Sequence, residues 1–355
     1  MAIFVGAYGL IVLIRAFCEA TKSRNSKKIQ CIVMGVVYFF IAALRGRCVG
    51  GDTDIYVNAF ERISRLDVIT AYEQADKDPV FYAFLNIMSK ISESYTVLFI
   101  VIALFFSFAV TRFIYKYSKD PTISWIIALS LSLYQFTLTA MRQTIAISFV
   151  LIAFSCLFEK KWFKGVIAVL LGSLFHSSAI VVLAVFVVYK VKVNKIMLWC
   201  SVCALGISFL LRNQIASLIL NFFQSETLGY DITEEQSGMT MLLVILVLYI
   251  FAVLFVDTKV LESSHVVQKL FVFSFAAVFF ETLVPAQPIF FRFAFYFLYG
   301  LIVLIPEVIM TGRSSQDKII LYLAIAGVLS VQYFVFTIGS SNIMPYYTFW
   351  QPRPV

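Results

Sequence analysis

VLFIVIALFFSFAV, residues 97–110, holds no charge, no proline and no glycine. It shows no alternation of apolar and polar positions, and the apolar character extends on both sides, so it reads as a helix over 95–117. At about 1.5 Å rise per residue such a helix crosses a hydrocarbon layer of about 30 Å. Comparable runs recur along the chain at 2–19, 30–44, 122–140, 143–158, 196–212, 239–256, 268–284, 289–309 and 319–337. Of 355 residues 61% are hydrophobic and only 14% charged, a balance that a water-exposed surface does not tolerate. A transmembrane β-barrel needs short alternating segments instead. The chain therefore reads as an all-α, polytopic integral membrane protein forming a single domain over residues 1–355.

Residues 163–189 are too long for one span. As a single helix they reach roughly 40 Å, and lysines flank both ends: Lys160, Lys161 and Lys164 before, Lys190, Lys192 and Lys195 after. Both ends should then lie on the same side, which a hairpin of two short helices with His176 at its tip satisfies. With the hairpin the count is about twelve transmembrane segments. Lysine and arginine crowd the loops around 22–28, 112–119, 160–164 and 190–195, so that face is expected to be cytoplasmic and both termini external. The net charge of +8 thus reflects topology, and no clustered basic stripe on a soluble module points to nucleic acid. Cysteines lie mostly in apolar spans, and the Cys200 to Cys203 spacing inside a helix reads as packing. No two His or Cys residues share ligand spacing, so no metal is expected.

Two segments on the outer face are long enough to carry function: an external or re-entrant stretch of about 50 residues, 45–94, and a second external loop, 212–240, with Asp231, Glu234 and Glu235. The first opens with RGRCVGGDTDIY, residues 45–56. Its glycines leave backbone amides open to an anion, and the planar guanidinium of Arg45 or Arg47 suits phosphate. An ordinary solvated loop with turn glycines has the same composition. Arg142 and Gln143 sit at a tight turn between two spans, and Arg292 follows Pro285 and Pro288 at the start of an aromatic helix. Each arginine alone is an ordinary snorkelling anchor. Three on one face, where charge is costly, suggest a shared anionic ligand. His176, followed by Ser177 and Ser178, joins them as a residue that titrates near neutrality, although a lone histidine in an apolar run is usually structural.

These residues resemble the EpsG-type branch of the Wzy polymerases, which build O-antigen and exopolysaccharide. The matching pieces are Arg45 with the VGGDTDIY run of 49–56 and Phe60, then DPVFY at 78–82, Arg142-Gln143 with Ala146, FHSSA at 175–179, and Arg292-Phe293 with Tyr296. They cover most of the chain. The sequence departs from the pattern at Gly51 and at Asp78, where many members carry Glu. The resemblance implies glycosyl transfer at the periplasmic face of the bacterial inner membrane, with undecaprenyl-diphosphate-linked oligosaccharides as donor and acceptor, membrane lipid around them, and no cofactor. A chain-length regulator is a further candidate partner under the resemblance. In that chemistry arginines neutralise the diphosphate leaving group without a metal, and one general base takes the acceptor hydroxyl proton. His176, Asp52 and Asp54 are the candidate bases. Arg45, Arg47, Arg142, Gln143, Arg292, Tyr56, Asp78 and Tyr296 are the candidate diphosphate and glycan contacts.

Two other classes remain in view. A flippase of lipid-linked oligosaccharides calls for two related halves and charge spread along a path, and neither is visible. A membrane acyltransferase acting on surface glycans has use for His176 as base but none for three outward arginines.

Overall fold

The computed structural model describes residues 2–75, 77–222, 238–337 and 343–351. It is all-helical: no strand forms among the described residues, only an isolated bridge between Arg45 and Thr348. Among the described residues six helices are long and apolar enough to cross a membrane, and counting three bent helix pairs as one span each gives nine. The expected count of twelve is not met on length. The other three expected segments are shorter apolar helices, Trp162–Phe175, Ser177–Val187 and Met239–Phe255, and a 14-residue helix reaches only about 21 Å.

The contacts gather into two compact units, residues 1–186 with 322–355, and residues 187–321. In the first unit α1 (Ala2–Ala20) packs on α2 (Ser26–Ala43). The stretch expected as a 45–94 loop instead carries three helices, α3 (Thr53–Ile63), α4 (Val68–Glu73) and α5 (Pro79–Ile91). They form because each has one apolar face to bury: Tyr56, Val57, Phe60 and Ile63 of α3 and Phe81, Leu85 and Met88 of α5 close on Leu98, Phe99 and Ile102 of α6 (Thr96–Tyr117). This spacing of one, three or four residues is a helical stripe too narrow and too polar on its back to read as a span.

The chain then bends by 52° between α7 (Pro121–Ser130) and α8 (Leu133–Thr139), at Ser132, which takes a left-handed φ of 55°. Asp120 caps α7, accepting from the Ile123 amide at 3.1 Å, and also pairs with Arg15. The long α9 (Met141–Phe158) packs against α6 and α10 (Trp162–Phe175). The expected hairpin is seen as a helix break. His176 at the end of α10 is extended (φ −153°, ψ 107°), and a 3-10 helix, Ser177–Val182, packs back against α10 before α11 (Leu183–Val187).

In the second unit α12 (Lys195–Leu210) and α13 (Arg212–Phe222) meet at a bend of 83°. Of the expected 212–240 loop, 223–237 with Asp231, Glu234 and Glu235 lie outside the described residues. Next come α14 (Gly238–Phe255), α15 (Thr258–Ser263), α16 (His265–Leu283), α17 (Phe290–Leu298) and α18 (Leu301–Met310). Asp257 caps α15 through the Val260 amide at 3.0 Å. Phe280 of α16 stacks on Phe297 of α17 with centroids 5.9 Å apart, and Ser208 and Thr282 hydroxyls bond at 2.7 Å across α12 and α16. The last helix, α19 (Ser315–Val331), returns the chain to the first unit, where Ser330 bonds the Tyr8 hydroxyl at 2.6 Å.

Candidate active site

The first unit assembles its polar site around Asp78. Pro79 opens α5, where a missing amide hydrogen costs nothing, and Asp78 precedes it with φ 54° and ψ 55°. Only a few non-glycine residues accept this left-handed geometry, aspartate among them. Its carboxylate does not cap α5. Instead Oδ2 accepts from Arg142 Nη1 at 3.0 Å and lies 3.2 Å from His176 Nδ1, while Oδ1 accepts the Ser177 amide hydrogen at 3.1 Å. Three distant segments are thereby joined on one carboxylate whose side chain is 6% exposed.

Each partner reaches this point for a local reason. Arg142 is the second residue of α9, a helix end where the dipole disfavours a cation, and Asp78 offsets that penalty. Its guanidinium also lies 5.9 Å from the Tyr56 ring. His176 is held by the helix break, its amide still bonded to the Gly172 carbonyl at 3.1 Å. Phe175 beside it stacks on Phe149 with centroids 6.0 Å apart. Burial pushes the Asp78 carboxyl up, but the hydrogen bond and charge of His176, the Ser177 amide and the Arg142 charge outweigh it and leave the group below its ordinary value. Chemically this is a cation and an imidazole held on one carboxylate. The carboxylate fixes the ring and favours a proton on Nδ1, which leaves Nε2 the basic nitrogen of the neutral ring.

The other expected residues fall elsewhere. Arg45 is only 3% exposed. It donates to the Ala42 carbonyl at 2.5 Å and lies 4.1 Å over the Phe99 ring, and burial lowers its pKa to about 10, still far above neutrality. Arg47 and Asp54 pair with each other at 2.7 Å, and Arg47 also reaches Glu61 and Asn58. Asp52 stands half-buried at the start of α3 with no side-chain capping bond. Gln143 is buried in α9. Arg292, half-buried in the first turn of α17, and Tyr296, fully buried, belong to the second unit. The structure thus brings together Asp78, Arg142, His176 and Tyr56, and leaves Arg45 in the interior.

Part of the glycine run is engaged within the fold. The Gly46 amide donates to the Tyr347 carbonyl at 2.8 Å and the Cys48 amide to Tyr347 Oη at 3.1 Å. Gly50 has φ 104°, and a Cβ there meets the Leu138 carbonyl oxygen at 2.4 Å. Thr53 completes the joint, its hydroxyl 2.8 Å from the Val49 carbonyl and 3.0 Å from that of Leu138. These glycines allow close backbone approach. Tyr346 and Tyr347 anchor the 343–351 segment, with Tyr346 donating to the Ile41 carbonyl at 2.8 Å. Nothing in the local sequence signals a pairing across 299 positions.

The EpsG family model matches residues 28–348. That range includes every residue of the Asp78 cluster. No curated protein and no solved structure matches the chain.

Proposed function

The chain belongs to the EpsG family, and on that premise we propose that it is a polysaccharide polymerase joining undecaprenyl-diphosphate-linked repeat units at the periplasmic face of a bacterial inner membrane. The single observation that carries the reading is the Asp78 carboxylate bridging Arg142 and His176. A glycosyl transfer from a lipid diphosphate needs a cation for the leaving group and a base for the incoming hydroxyl, and this cluster offers both within one carboxylate's reach.

In the proposed reaction the acceptor sugar hydroxyl attacks the donor's anomeric carbon. The bond from that carbon to the diphosphate oxygen breaks, and the electron pair leaves with the lipid diphosphate. His176 takes the hydroxyl proton. Asp78 is a positioning residue that holds the imidazole and stabilises its charged form. Arg142 gives N–H donors to Asp78 and Tyr56, and its remaining terminal N–H donors suit a diphosphate oxygen. Arg292, in the second unit, is proposed as a further cation for the lipid-linked substrates. Arg45, interior and stacked on Phe99, serves the loop's architecture in this reading.

Cells making the native glycan test it through Arg142→Ala and His176→Ala. Single repeat units on the lipid carrier, with loss of long chains, are expected. Undiminished long chains contradict the proposal. Lipid-linked units trapped on the cytoplasmic leaflet point to the flippase reading.

A further inference from the structure

At the far end of the first unit α2 and α6 enclose an open groove of about 440 Å3. The start of α6 packs near Met141 and Ile145 of α9, close to Arg142, whereas its end meets the end of α9 through Phe113 and Phe158. The groove reaches toward that second end, and α6 is 22 residues long, so its mouth at Arg112 stands more than roughly 20 Å along the helix from the Asp78 cluster's end.

The groove is apolar with a cationic mouth. Its walls are the exposed apolar side chains Ile32, Val36, Leu104 and Phe108. Ser107 and Thr111 also line it, with their hydroxyl oxygens buried. Lys28 and Arg112 stand at its mouth. There it abuts a polar cavity of about 350 Å3 that shares Lys28 and Tyr115 and adds Arg24, Lys27 and Lys116. Glu159 offsets Lys116, and the remaining charge is cationic. Apolar walls that end at clustered cations match the acyl chain and phosphate of an anionic glycerolipid.

We propose that this groove binds an anionic glycerophospholipid. One acyl chain lies against Leu104 and Phe108, and the phosphate sits between Lys28 and Arg112. The mouth stands at the end of α6 remote from the Asp78 cluster, where the proposed function has the lipid-linked substrates react, which is why the assignment is to a membrane phospholipid and not to the isoprenoid carrier. Basic pockets between spanning helices recognise anionic headgroups by the same attraction.

The test is native mass spectrometry of the full chain released from detergent, titrated separately with dioleoylphosphatidylglycerol and dioleoylphosphatidylcholine. Phosphatidylglycerol is expected to bind more tightly, and Lys28→Ala with Arg112→Ala to weaken it about thirtyfold, the effect of two cationic contacts, with a smaller loss for phosphatidylcholine, whose choline offsets its phosphate charge. Leu104→Trp, at an exposed wall position, is expected to block phosphatidylglycerol with the charges intact, and it tests the groove independently if the double variant does not fold. Undecaprenyl phosphate should not displace the bound phospholipid. Equal binding of both lipids, indifference to these substitutions, or displacement by undecaprenyl phosphate overturns the proposal.

Discussion

Asp78 decides the chemistry at the scale of a residue. Loss of a general base costs about 100 to 10,000-fold, and converting the aspartate that orients a catalytic histidine to asparagine costs up to about 10,000-fold by favouring the wrong tautomer. Asp78→Asn and His176→Ala are therefore each expected to lower the polymerisation rate by about 100-fold or more, measured on purified protein with lipid-linked repeat units. An unchanged rate in either variant contradicts the assigned roles. The pH dependence of stability has a definite sign. A carboxyl lowered in the folded state stabilises above its ordinary value of 3.8 and loses that contribution as pH falls through the folded value. The melting-temperature gap between wild type and Asp78→Asn should stay open down to pH 3.8 and close below it. Asp78, Arg142 and His176 each stand out in the sequence but cannot be paired from it, because 64 and 98 positions separate Asp78 from its two partners. Arg142 points by itself only to an external anion, since no carboxylate lies in a neighbouring turn of its helix.

At the scale of elements, legibility follows apolar length. The helices Ala2–Ala20, Thr96–Tyr117 and Met141–Phe158 lie within a few residues of their expected spans because a long uninterrupted apolar run has one stable form in a membrane. The break at His176 is also legible, from excess length between two lysine clusters. The helices α3 to α5 are not. Their buried stripes are short and their backs polar, so the glycines and aspartates around them make the stretch look like a loop. Gly50 shows what the turn before α3 is for: its left-handed φ and its contact with the Leu138 carbonyl leave no room for a side chain. Gly50→Ala is expected to destabilise the protein by about 1–3 kcal/mol, read as a lowered thermal transition in detergent. An unchanged transition would mean the turn does not hold this conformation.

At the scale of the whole molecule, the chain carries its expected cations in two units, with Arg142 in one and Arg292 in the other. Arg292 is therefore tested on its own. Arg292→Ala is expected to shorten the glycan in cells making the native polymer, with single repeat units accumulating on the lipid carrier. Undiminished long chains would remove Arg292 from the proposed substrate contacts.

The most direct test of the polymerase assignment is reconstitution of the purified chain in liposomes with undecaprenyl-diphosphate-linked repeat units, without nucleotide or divalent metal, followed by sizing of the glycans. A polymerase working through the Asp78 cluster yields a ladder spaced by one repeat unit that forms with wild type and disappears with Arg142→Ala or His176→Ala. A ladder that persists in both variants, or substrate that crosses the bilayer without growing, contradicts it.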